Sequence, residues 1–106
     1  MAQFDVYTNT NPSHSAAQGI PYVVVVQSDL LDALATRITI PLASVTFADK
    51  APEKLCPRIT IKGEQLRALA HYAAPLPTRS LRLVVANVAS QASTLMAAMD
   101  VVIAGV

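Results

Sequence analysis

The sequence predicts one α+β domain over residues 1–106, mainly antiparallel β, built as a small barrel-like sheet that closes on a single helix. Three observations predict it. Period-two and β-branched segments fill most of the chain, and the one long run at helical spacing comes last. No strand–helix–strand alternation and no internal repeat occurs, which removes the parallel doubly wound architectures. A chain of 106 residues suits one core, burying roughly two-thirds of the surface its unfolded form exposes.

The elements follow in order. Residues 3–8 alternate Phe4, Val6 and Thr8 against Gln3, Asp5 and Tyr7, the mark of a half-buried strand. Residues 9–19 hold Asn, Pro, Ser and Gly without an apolar period and form a loop. Residues 22–26 are almost continuously β-branched after Pro21, so this strand is central or covered on both faces. Gln27-Ser28-Asp29 ends it. Ile38 and Ile40 then face one way and Arg37 and Thr39 the other, and Pro41, lacking a ladder donor, bends or ends the strand. Residues 48–57, with four charges and two prolines, are irregular. Lys62-Gly63 between residues 58–61 and the segment after Glu64 signals a hairpin.

Residues 65–73 fit two patterns. Leu66, Leu69, Ala70 and Ala73 suit a helix, whereas Leu66, Ala68, Ala70 and Tyr72 suit a strand. Any helix must stop before Pro75 and Pro77. Residues 80–85 make a short strand. The final helix runs from about residue 88 to 103, with Asn87 as its N-cap. Ala92, Leu95, Met96, Met99, Val102, Ile103 and Val106 make one apolar face. The other side begins polar at Ser90, Gln91, Ser93 and Thr94, then turns small or apolar at Ala97, Val101 and Ala104. A last turn that is apolar all round needs a partner chain.

Composition agrees. The chain is 53% hydrophobic and only 14% charged, against about 25% charged in an average domain. Mean hydropathy is +0.42, yet no run reaches the roughly 20 apolar residues that span a bilayer. A protein partner, not a membrane, therefore accounts for the surplus. The net charge of +1, with no cluster of either sign, excludes direct nucleic-acid binding through several phosphate contacts. The N-terminus lacks a signal peptide, and the single cysteine, Cys56, excludes an internal disulfide, which places the chain in the cytoplasm.

Catalytic chemistry finds little footing. His14 and His71 have no second ligand at metal spacing. Cys56 precedes Pro57 and reads as a buried structural thiol. The glycines at 19, 63 and 105 are scattered, so no phosphate loop exists, and no nucleophile elbow is present. Asp29 and Asp32 read as solvated loop carboxylates that bracket Leu30-Leu31 and mark that pair as a surface loop. Arg79 and Arg82, near His71 and Tyr72 in sequence, are the nearest approach to a ribonuclease-like cluster. The sequence calls for no cofactor and no metal.

Several segments together carry a family resemblance: Gln3-Phe4-Asp5-Val6-Tyr7-Thr8, the Val26-Gln27-Ser28-Asp29-Leu30-Leu31-Asp32 run, residues 38–44, Leu55-Cys56-Pro57 with residues 61–64, and the closing helix to Gly105-Val106. In order and spacing along nearly the whole chain they resemble CcdB, the toxin of plasmid-borne type II toxin–antitoxin pairs that poisons DNA gyrase. The resemblance implies an SH3-like small barrel: a five-stranded antiparallel sheet, a smaller three-stranded one and a long C-terminal α-helix. It implies strand for residues 65–73. It also implies a homodimer joined near Met99, Val102 and Ile103, with Val102 where the family places a methionine at the dimer centre. The partners implied are the DNA gyrase A subunit and a CcdA-like antitoxin whose disordered C-terminal segment wraps the toxin.

Such a toxin is a wedge and not an enzyme. Its gyrase-binding residues map here onto Leu30, Leu31, Asp100, Ile103, Ala104, Gly105 and Val106. Two departures stand out. Ala104 replaces a tryptophan that stacks on an arginine of gyrase, and the chain has no tryptophan at all; such cation–π stacking contributes roughly 1–2 kcal/mol. The loop at residues 9–19 is longer than the family pattern. Two alternatives accompany this reading: a ribonuclease toxin on the related MazF-like barrel, and an inactive relative that binds antitoxin alone. For the ribonuclease, Arg37 is the only early arginine, and the glycine-rich opening motif is missing.

Overall fold

A computed structural model of the chain describes residues 2–10, 19–46 and 50–105. His14, Val106 and most of the 9–19 loop lie outside the described residues. Among these described residues, seven strands form one antiparallel sheet: β1 (Asp5–Thr8), β2 (Tyr22–Val25), β3 (Thr36–Ser44), β4 (Arg58–Ile61), β5 (Glu64–Ala68), β6 (Ala74–Pro77) and β7 (Val84–Asn87). One helix, α1 (Ala92–Ala104), follows. The sheet runs β4-β5-β3-β2-β1-β7, with β6 also on β3. It therefore divides at β3 into a five-stranded part, β6-β3-β2-β1-β7, and a three-stranded part, β3-β5-β4, as an SH3-like small barrel requires.

That division explains why Pro41 does not stop β3. One edge of β3 pairs with β2 throughout residues 39–42. Along the other edge, β6 covers residues 36–39 and β5 covers residues 42–44. Pro41 sits in the gap, where its carbonyl accepts from the Leu69 N–H at 2.9 Å. Carbonyl and N–H of one strand residue point the same way, so the donor proline lacks would have faced that gap. The strand continues through the proline.

The Lys62-Gly63 hairpin forms as predicted, with φ of 51° and 83°, the pair of positive values a two-residue type I′ turn requires. The ambiguous 65–73 segment is only half strand. β5 ends at Ala68, and Ala70–Tyr72 is a 3₁₀ turn. The next strand, β6, was hidden by Pro75 and Pro77. Leu76 pairs with Arg37 and Pro75 with Ile38, and the Thr78 N–H reaches the Ala35 carbonyl at 2.9 Å. By period two, the donors of residues 74, 76 and 78 face β3, and both prolines turn outward, where an edge strand tolerates them.

Three further boundaries move. β1 begins at Asp5 because Phe4 takes a left-handed φ of 69°. The strand expected at residues 80–85 lies at 84–87, after a 3₁₀ turn at Thr78–Ser80. Asn87 does accept from the Ala89 N–H at 2.9 Å, but it is not the N-cap of α1: a 3₁₀ turn, Ala89–Gln91, with Val88 at its N-cap, comes first, and Gln91 is the N-cap of α1. β1 is also buried on both faces and not one. Val6 joins Val24, Ile40, Leu42, Ile59, Leu66, Leu95 and Ala98 in the main core, while Tyr7 joins Val23, Val25 and Leu81 in a second cluster. No helix among the described residues is long and apolar enough to cross a membrane.

Candidate functional site

The surface built by the loop after β2 and the end of α1 starts from Gln27. Its carboxamide accepts from the Ile38 N–H at 3.1 Å and donates to the Thr36 carbonyl at 3.2 Å and the Leu31 carbonyl at 3.4 Å. Ser28 Oγ accepts from the Leu30 N–H at 3.2 Å, capping the 3₁₀ turn Asp29–Leu31. Asp29 is a tie, not a merely solvated carboxylate: its Oδ1 accepts from the Gln3 N–H at 2.8 Å. Arg37 closes the other side. Its guanidinium, in a residue only 6% exposed, donates to the carbonyls of Asp32, Leu34 and Thr36. With its polar backbone satisfied from beneath, the loop holds its leucines outward. Leu30 is 93% exposed, and Leu31 and Leu34 are about half exposed.

The end of α1 meets this loop. An open, largely apolar groove is lined by Val26, Leu31, Ile38, Met99, Asp100 and Ile103, with Gln27, Ser28 and Met96. Leu31, Met99, Asp100 and Ile103, which lie far apart in sequence, thus share one surface. Leu95 and Ala98 dock α1 on the core. The last turn leaves it, with Ile103 78% and Val102 41% exposed and Ala104 open to solvent. Gly105 ends the helix in a left-handed conformation, φ 74°, its N–H on the Val101 carbonyl at 3.0 Å, where a residue without Cβ fits best. Leu30, Val102 and Ala104 lie outside the groove lining. Leu34, Ile38, Val26 and Met96 were not foreseen as part of this surface, and only Leu34, an apolar residue beside Asp32, carried a readable signal.

The side chains with catalytic potential do not assemble. Arg79 and Arg82 line a recess with Thr10 and Ser80 that includes neither His71 nor Tyr72, whose rings lie tilted at 37° with centroids 4.3 Å apart. Arg37 is engaged by its own loop. Cys56 is fully buried with Sγ 3.7 Å from His71 Nδ1, and burial pushes its thiol pKa up against the opposing effect of Arg67. A raised pKa disfavours the thiolate that nucleophilic attack needs. Arg67, itself buried, donates to the carbonyls of Cys56 and Ala51. Among the described residues, no group of His, Cys, Asp and Glu is arranged to hold a metal.

No curated protein matches the chain significantly. A family model for CcdB protein does match, over residues 3–105 of the 106. The match takes in every described strand, the loop between β2 and β3 and the whole of α1, and on that span the chain belongs to the CcdB family, toxins of toxin–antitoxin modules.

Proposed function

We propose that this chain is the noncatalytic toxin of a CcdB-type module, a cytoplasmic homodimer that binds the DNA gyrase A subunit and is neutralised by a CcdA-like antitoxin. One observation carries the reading: Leu30 and Leu31 and the end of α1 form one exposed apolar surface around the Leu31–Ile103 groove. Large apolar side chains this exposed mark an interface. Met99, half-buried against the core, and the exposed Val102 and Ile103 supply the apolar edge through which two copies would meet. Leu30, Leu31, Asp100, Ile103, Ala104, Gly105 and Val106 are the gyrase-facing set. The ribonuclease alternative loses its one early arginine to the loop carbonyls.

Ala104 weakens the grip. A stacked tryptophan would add roughly 1–2 kcal/mol, a factor of about 5–30 in affinity. The test is a gyrase supercoiling and cleavage assay with this chain beside Ala104→Trp. Weak trapping of cleaved DNA that the tryptophan strengthens supports the reading. If both chains leave gyrase untouched, gyrase is not the target. Sedimentation at micromolar concentration tests the dimer, and a lone folded protomer would reject it.

A further inference from the structure

We propose that the outer edge of β7 is a second docking site, which takes an extended segment of another protein whose acidic residues lie toward its C-terminal end. Among the described residues the sheet has three unpaired edges, at β4, β6 and β7. Exposed strand edges invite foreign strands unless they are obstructed. β4 is obstructed by Gln91, whose carboxamide accepts from the Thr60 N–H and donates to the Thr60 carbonyl, both at 2.9 Å. The side chain thus stands in for a neighbouring strand. β6 is obstructed by Pro75 and Pro77, which present no N–H outward.

β7 carries neither a capping side chain nor a proline, and only a slip in its pairing with β1 at Val85 interrupts the edge. Its residues Val84, Val85, Ala86 and Asn87 are uncharged, and among the described residues the strand pairs with β1 alone. Leu83 is 68% exposed and Val84 about half exposed, so apolar side chains accompany the open backbone. An added strand would gain main-chain hydrogen bonds from the edge and side-chain contacts from Leu83 and Val84.

Charge fixes the chemistry of the occupant. Arg79 and Arg82 are exposed beside the leading end of β7, in one recess with Thr10 and Ser80, and the Arg82 Nε donates to the Arg79 carbonyl at 3.1 Å. Among the described residues the only ion pair is Arg58–Glu53, at 2.8 Å, so neither arginine has an internal carboxylate. A strand laid antiparallel on β7 ends beside these two guanidiniums, and carboxylates there complement them. This edge shares no residue with the Leu30–Ile103 surface, so the proposal stands apart from the gyrase reading.

The test uses the full ¹⁵N-labelled chain and a short synthetic peptide of alternating valine and threonine that closes on two glutamates. We expect saturable amide shifts and slowed exchange at residues 83–87, and weaker binding by a peptide that opens on the glutamates instead. The double variant Arg79→Glu, Arg82→Glu should bind roughly tenfold more weakly, the size of two exposed ion pairs. Both sites are exposed, so an unchanged amide spectrum elsewhere verifies that the variant folds. Shifts confined to residues 28–36 or α1, equal affinity after charge reversal, or concentration-dependent self-pairing of β7 without peptide would each overturn the proposal.

Discussion

Replacing Arg37 with methionine should loosen the Leu30-Leu31 loop before it unfolds the barrel. The guanidinium serves three carbonyls, those of Asp32, Leu34 and Thr36. A hydrogen bond to a charged group contributes roughly 1.5–3 kcal/mol, and a buried acceptor left unmatched costs roughly 1–3 kcal/mol. Those gains are offset by the desolvation of a cation in a residue only 6% exposed. Residues 30–36 are largely exposed, so water can reach the freed carbonyls, and the net loss falls near the low end, about 2 kcal/mol. Against a total stability of about 5–15 kcal/mol the chain still folds.

The assay is urea unfolding combined with native-state amide exchange. The Leu31 and Leu34 amides, bonded at 3.0 and 3.1 Å to the carbonyls of Ser28 and Leu31, should lose protection while Val24 and Ile40 keep theirs. Arg37→Lys should recover less than half of the loss, because an ammonium cannot copy a planar fork across three carbonyls. A methionine variant within about 0.5 kcal/mol of the parent, with loop exchange unchanged, would refute the claim that Arg37 frames the site.

Other outcomes follow from the same geometry. Gln91→Ala removes both bonds to Thr60; stability should fall by about 1–2 kcal/mol, Thr60 should exchange faster, and aggregation in concentration-dependent light scattering should rise as the β4 edge opens. Gly63→Ala places a side chain at φ 83° and should cost about 1 kcal/mol in chemical denaturation. Alkaline pH should erode stability: burial raises the folded-state pKa of both Cys56 and Tyr7, so each contribution is complete below its unfolded pKa and is lost as pH rises through the folded one. Unfolding midpoints followed above about pH 8.5, the ordinary thiol value, should fall less steeply in Cys56→Ala.

What could be read from sequence depended on whether a residue's role was local. The Lys62-Gly63 turn, the buried β2 and the apolar face of α1 announce themselves within a few residues, since turn geometry and periodicity are local quantities. β6 did not, because Pro75 and Pro77 argue against a strand unless their outward parity on an edge is known. Pro41 misled for the same reason: its cost depends on where β5 and β6 leave a gap along β3. Leu30-Leu31 and the end of α1 each carry a local apolar signal, yet the meeting of Leu31 with Met99 and Ile103 in one groove is a tertiary fact. Arg37 and Gln27 looked like ordinary polar residues beside a loop, and only their distant carbonyl partners show them to be its frame.

This division of labour explains how the family fold and its target contact can part company. Leu30, Ile103 and Ala104 contribute almost nothing to the core, whereas Val6, Val24, Ile40, Leu42, Leu66 and Leu95 are fully buried and hold the barrel. The residue at position 104 can therefore vary without touching the fold, whereas truncating a central aromatic anchor in an interface can weaken binding by about 2–4 kcal/mol, or roughly 30- to 1,000-fold. The loop frame is independent of position 104, since Gln27, Ser28, Asp29 and Arg37 bond to backbone groups at other positions. A chain that keeps the frame without the anchor still presents Leu30 and Leu31 rigidly, at little ordering cost on binding. If gyrase is the target, affinity must then shift from the helix tip to the loop, and Leu30→Ala should weaken binding more in this chain than in its Ala104→Trp variant. Equal losses in the two backgrounds would show that the loop carries no compensating share.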